Sequence, residues 1–136
     1  MGCRWCEIIK NGSDDEIARL KHTVTILNKN QSFKGRVIVM LNRHVENLSE
    51  LSEPERNGFF SEAVKIANAI NTALKPAKLN YALLGNVIPH LHWHIIPRYE
   101  DDGNWGGPPW PHDNEEISND ETENLVLKIQ NGLADK

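Results

Sequence analysis

In the stretch PHLHWHIIPRY, residues 89–99, three histidines stand at alternate positions within an otherwise apolar run. Side chains along a β-strand point alternately to opposite faces, so residues two and four apart share one. The spacing puts His90, His92 and His94 on one face and Leu91, Trp93 and Ile95 on the other, with Ile96 adding β-branched content. A helix would scatter the three imidazoles around its circumference. Pro89 and Pro97 bracket the run where strands begin and end. The pattern predicts a strand over 91–96.

One buried histidine is ordinary core chemistry, but three on one strand face call for another reason. Zinc is the main rival, since it accepts histidine nitrogens at about 2 Å. At a rise of about 3.3 Å per residue, however, the first and third Cα atoms lie about 13 Å apart, too far for all three rings to meet on one ion without a bulge. The face is expected to divide its labour: one histidine for structure, two for chemistry.

The remaining elements follow from local signals. Strands are expected over 16–20 and 22–27, with NKNQSFKG as a polar turn after them, and RVIVMLN, residues 36–42, reads as a central strand. Ser52 and Glu55 have capping-box spacing, Pro54 sits in the first helical turn, and Phe59, Ala63, Ile66, Ala67, Ile70 and Leu74 follow at helical steps until Pro76. A strand over 81–84 leads through Gly85, read as a turn residue, to the histidine strand. A Gly, Pro and Trp-rich loop over 100–117 precedes a C-terminal helix over 118–134, which Ser118 and Glu121 can cap. Trp105 and Trp110 are expected to pin this tail to the sheet, and His22 and His112 to be surface residues. Strands, helix, strands, helix make one α+β domain over 1–136, with a mostly antiparallel sheet.

A formal net charge of -4 at pH 7 excludes the broad basic face of a non-specific nucleic-acid binder. A phosphate ligand must instead meet local positive charge, for which Lys34, Arg36, Arg43 and Arg98 are placed. No run approaches the roughly 18 apolar residues of a membrane span, and MGCRWCEIIK lacks the apolar core of a signal peptide, so the expected location is the cytoplasm. Cys3 and Cys6 form the one C-x-x-C. The spacing leaves two readings open: half a zinc site, with His44 and His90 as candidate partners, or two free thiols at a frayed terminus.

HLHWHII resembles the H-φ-H-φ-H-φ-φ signature (φ apolar) of the histidine-triad superfamily of nucleotide hydrolases and transferases. GRVIVMLNRHVENLSEL is similar to that family's long strand ending in a basic residue and histidine, and IIPRY to its exit from the triad strand. The resemblance runs from Cys3 to Tyr99 and implies a mostly antiparallel sheet of about five strands with two main helices, paired as a homodimer. It implies that His92 attacks the α-phosphorus of a purine nucleotide, giving a covalent nucleotidyl-histidine, with His94 beside the phosphate oxygens and leaving group as a hydrogen-bond donor and proton source. It also implies a structural zinc on Cys3, Cys6, His44 and His90, with no metal required for the chemical step.

Asn28 matches the ribose-contacting position, Asn80 is a looser candidate, and Arg98 is placed to position phosphate. The approach to the triad, GNVIPHLHWH, departs from the family's G-Q-x-V-x-H-x-H-x-H. Asn86 keeps a shorter amide and Val87 offers no hydroxyl. Arg36 stands where many relatives place a fourth histidine, and a guanidinium can meet a phosphate but cannot relay a proton near neutral pH. Dinucleoside polyphosphates and nucleoside phosphoramidates both fit as substrates. Two alternatives remain: a nucleotide-binding regulatory module with little turnover, and a zinc hydrolase using His90 and His92 as ligands.

Overall fold

The computed structural model describes residues 2–110 and 113–134, so His112 lies outside the described residues. Five strands, β1 (Glu16–Arg19), β2 (Thr23–Leu27), β3 (Val37–Leu41), β4 (Lys78–Ala82) and β5 (His92–Arg98), form one sheet in the order β1-β2-β3-β5-β4. Every neighbouring pair is antiparallel. The helices are α1 (Arg4–Asn11), α2 (Glu53–Leu74) and α3 (Asn119–Ala134). This is the expected α+β architecture with one helix added.

The alternation of β5 partitions the molecule. Trp93 and Ile95 join Val37, Val39, Leu41 and Leu27 on the face covered by α2 and α3, where Phe59, Ile66, Ile70 and Ile129 are fully buried. Trp93 stacks on Phe59 at 5.5 Å and donates its indole N–H to the Phe59 carbonyl. On the opposite face, Val24, Ile26, Ile38 and Met40 meet Trp5 of α1 in a smaller cluster. Register carries His92 opposite Met40 and His94 opposite Ile38, so both imidazoles stand on this second, partly open face.

Helix α2 begins as its sequence dictates: Ser52 Oγ accepts the Glu55 N–H, and Lys75 in the left-handed conformation closes the helix before Pro76. Strand β4 starts earlier than the expected 81–84, because Ala77 N–H bonds the Arg98 carbonyl directly after the helix stop. The same edge strand ends at Ala82, opposite His94, and residues 83–89 leave the sheet to form a rim. Gly85 in that rim has a φ of 89°, a left-handed conformation suited to glycine.

Two expectations, one about the tail and one about His22, require correction. Trp105 and Trp110 are 41% and 40% exposed and belong to neither apolar cluster, so they do not pin the loop. The fastening is polar: Arg98, 2% exposed, pairs with Asp102 at 2.7 Å and donates to the carbonyls of Asn104 and Gly107. His22 is half-buried rather than on the surface, with its ring over Gly58 of α2 and its N–H on Glu62. No helix among the described residues is long and apolar enough to cross a membrane.

Candidate active site

A cavity of about 500 Å³ opens on the second face of the sheet. Its apolar wall is Trp5 and Ile8 from α1, Ile26 and Ile38 from the sheet, and Ile88 from the rim, and His92 and His94 close its floor. Asn28 and Asn86, expected to contact substrate, both line it. Asn28 sits just past β2, where its side-chain oxygen accepts the Asn30 N–H. An apolar slot with a few convergent polar groups is the ordinary form of a small-molecule site.

The two imidazoles are held in defined tautomers. His92 donates its Nδ1–H to the His90 carbonyl at 2.6 Å, which leaves the Nε2 lone pair free. Its ring lies 5.3 Å from the Trp5 ring and 4.9 Å from that of His94. Arg36 donates an Nη2–H to His94 Nδ1 at 3.2 Å, so the His94 proton sits on Nε2. Burial pushes the His92 pKa below its ordinary value, with the hydrogen bond to His90 opposing that shift. Burial first, then the neighbouring charges of His92 and Arg36, takes His94 down to about 4. At neutral pH the floor presents one lone pair and one N–H donor.

Of the four cations expected near a phosphate, only Arg36 adjoins the histidines. Lys34 pairs with Glu115 at 2.6 Å, and Arg43 forms two 2.7 Å bonds to Glu55. Arg98 and Asn80, both expected as substrate contacts, lie away from the cavity: Arg98 donates to Asn80 Oδ1 at 2.8 Å while its other N–H groups hold the 102–107 turn. Their position on the histidine face follows from strand parity, but the chain folds back over them.

The third histidine turns to a different cluster. Nitrogen or sulfur atoms of Cys3, Cys6, His44 and His90 all lie within 4.8 Å of one another. His90 Nδ1 is 3.3 Å from Cys3 Sγ and 3.5 Å from Cys6 Sγ, and His44 Nδ1 is 3.5 Å from Cys6 Sγ. Tetrahedral zinc, with bonds of about 2.3 Å to sulfur and about 2.1 Å to nitrogen, has ligand-to-ligand edges of about 3.4–3.8 Å. The donor set fits such an ion. His90 Nε2–H donates to the Leu41 carbonyl at 2.8 Å, which turns the Nδ1 lone pair toward the sulfurs as a metal ligand requires. Among the described residues, the group able to hold an ion excludes His92, contrary to the reading in which His90 and His92 share a catalytic metal.

Helix α1 was not anticipated. Cys3 supplies no side-chain cap, and the segment has only eight residues, so the terminus reads as frayed. Trp5, Ile8 and Ile9 nevertheless have helical spacing, and that apolar stripe is the signal that could have found both the helix and the cavity wall.

Two adjacent imidazoles on an inner antiparallel strand thus face an apolar cavity, in the place the H-φ-H-φ-H pattern assigns them. The HIT domain family model matches residues 10–101, and the chain belongs to that family. Protein hit of Bacillus subtilis is 28% identical over 138 residues, covering 97% of this chain and 94% of its own. Bis(5'-adenosyl)-triphosphatase of Saccharomyces cerevisiae is 35% identical over 86 residues, covering 59% of this chain and 42% of the yeast protein. Among solved structures, a histidine triad protein from Sinorhizobium meliloti matches with a TM-score of 0.80 at 25% identity, covering 87% of this chain and 90% of that one. A zinc-bound histidine triad family protein from Mycobacterium smegmatis matches at a TM-score of 0.76 and 20% identity, over 99% of this chain and 95% of that one.

Proposed function

We propose that this protein is a nucleotidyl hydrolase or transferase that acts at the α-phosphate of a purine nucleotide through a covalent His92 intermediate. The observation that carries the reading is the 2.6 Å bond from His92 Nδ1–H to the His90 carbonyl. It leaves the Nε2 lone pair free at the floor of the cavity, which supports its role as the nucleophile. His94 Nε2–H then donates to a phosphate oxygen, and charge developing there is met by a fixed dipole. Trp5, Ile8, Ile26 and Ile88 offer a base and ribose an apolar slot, and Asn28 and Asn86 offer polar contacts. The named activity of the yeast relative, a dinucleoside triphosphatase, supports this chemistry.

Cys3, Cys6, His44 and His90 are assigned to a structural zinc, which supplies cross-linking of α1 to the sheet. Pairing of two copies and a cytoplasmic location belong to the same proposal. The test is intact-protein mass spectrometry after brief mixing with adenylated compounds. A transient gain of one AMP is expected on the wild type and not on His92→Ala. No adduct, with no product after hours, would favour a nucleotide-binding module instead.

A further inference from the structure

We propose that Arg36 makes this site selective for nucleotides whose leaving group departs as a phosphate-type anion, and poor toward phosphoramidates whose leaving group is an amine. The inference rests on the His92 reading above and narrows its substrate class.

The geometry concerns one hydrogen bond. His94 Nδ1 lies 3.2 Å from Arg36 Nη2, and a guanidinium has five N–H donors and no acceptor. Nδ1 must therefore present its lone pair, and the single ring proton of His94 is on Nε2. A doubly protonated ring would set an N–H against an N–H and put a second cation beside the first. The depressed pKa of His94 agrees with this.

A neutral ring in this setting can donate a hydrogen bond but has no proton to give away. Loss of the Nε2 proton would leave an imidazolate, and Arg36 cannot resupply Nδ1 without becoming a neutral guanidine. A histidine in place of Arg36 could pass a proton forward, so the arginine converts a candidate general acid into a fixed donor.

Bond accounting then separates the two substrate classes. When His92 Nε2 bonds to the α-phosphorus of an anhydride, the P–O bond to the leaving phosphate breaks and its electron pair stays on that oxygen. The product is a phosphate-type anion, stable near neutral pH because its second pKa is roughly 6. It departs next to the His94 N–H without needing a proton. Water later attacks the phosphorus, the P–N bond pair returns to His92 Nε2, and the water's proton leaves to phosphate or solvent. In a phosphoramidate the breaking P–N bond puts its pair on an amine nitrogen, which must take up a proton as it leaves. Among the described residues, neither His92 nor His94 on this floor carries a proton it can deliver.

The experiment measures kcat/KM for diadenosine triphosphate and for adenosine 5'-phosphoramidate in one preparation, by chromatography of released AMP, with mass spectrometry of the His92 adduct alongside. A positioned general acid is worth about 100-fold or more, so the wild type is expected to favour the anhydride by at least about 100-fold. Arg36→His is expected to shift the ratio toward the phosphoramidate by about 10-fold or more, while Arg36→Lys, which also only donates, keeps a wild-type ratio. The ratio is independent of the fraction of folded enzyme, so partial misfolding of a variant does not obscure it. A wild type that prefers the phosphoramidate, or an Arg36→His ratio equal to the wild type's, with the adduct present, overturns the leaving-group proposal alone. Absence of any His92 adduct with either compound overturns the His92 reading and this inference with it.

Discussion

The backbone oxygen of His90 accepts the His92 proton at 2.6 Å, while the His90 ring faces Cys3 Sγ at 3.3 Å. One residue thus belongs to the candidate metal centre through its side chain and to the candidate active site through its main chain. Helix α1 makes a second link, since Cys3 and Cys6 at its start join the metal cluster while Arg4, Trp5 and Ile8 line the cavity.

Metal loading and nucleotide binding are therefore expected to be coupled. Whatever fixes α1 orders the cavity wall, and linkage requires that nucleotide strengthen metal binding by the same factor. Zinc removal, or the double substitution Cys3→Ser and Cys6→Ser, is predicted to lower the melting temperature and to weaken AMP binding by about 5-fold or more. Calorimetric titration of AMP into loaded and metal-free protein measures one side. The zinc affinity from equilibrium competition with a chelator, with and without AMP, measures the other. Equal AMP affinities in two folded forms would mean that Trp5 packing alone holds α1.

Acid stability should bear the mark of His94. An unfolded histidine takes its proton near pH 6.5, whereas in the folded protein burial and the charges of His92 and Arg36 delay this to about 4. The folded pKa is depressed, so the contribution to stability is present above pH 6.5 and is lost as pH falls from there through about 4. Urea midpoints measured between pH 7 and pH 4 should decline, and His94→Gln should flatten that decline. A variant with the wild-type slope would place the proton uptake elsewhere.

Arg98 was expected near phosphate, and its observed partners lead to a different outcome. Its guanidinium is 2% exposed and bonded to Asp102, Asn80 and two carbonyls. Arg98→Met leaves the Asp102 carboxylate without its cation and is predicted to destabilise the fold by about 3–5 kcal/mol, with AMP affinity of the folded fraction nearly unchanged. The pH dependence supplies a second readout. The Arg98 hydrogen bonds hold the Asp102 pKa at about 2, below its ordinary 3.8, so the stabilisation is present above about pH 4 and is lost as pH falls through 2. Thermal melts between pH 5 and pH 2 should lose that dependence in the variant.

The parts of this fold legible in sequence are those where one local rule acts alone. Strand parity separated His92 and His94 from Trp93 and Ile95, and the Ser52 cap marked α2, because alternation and capping need no knowledge of distant residues. Arg98 shows the limit. Its strand position puts it on the histidine face, yet its role is set by Asp102, Asn104 and Gly107, brought back by a turn that strand parity does not describe. Trp105 and Trp110 mislead for the complementary reason: large apolar area argues for burial, but a loop already fastened by a buried arginine leaves them half out.

Gly132 in α3 offers a test of the packing that supports the sheet from the other side. In an exposed helix, glycine to alanine stabilises by about 1 kcal/mol through helix propensity. Here a Cβ would lie 2.5 Å from the Ala69 carbonyl oxygen of α2 and 3.1 Å from its carbon, both backbone atoms that cannot rotate aside. The two helices approach closely at this point, and Ile129 one turn earlier and Val126 nearly two turns earlier are buried against the shared core. Relieving the clash requires α3 to lift from α2, which costs about 1–3 kcal/mol by the usual effect of overpacking and outweighs the propensity gain. Gly132→Ala is therefore predicted to lower the urea midpoint, with AMP affinity preserved because the cavity lies on the opposite face of the sheet. A midpoint at or above the wild type's would show that the helices separate freely and that helix propensity decides the sign.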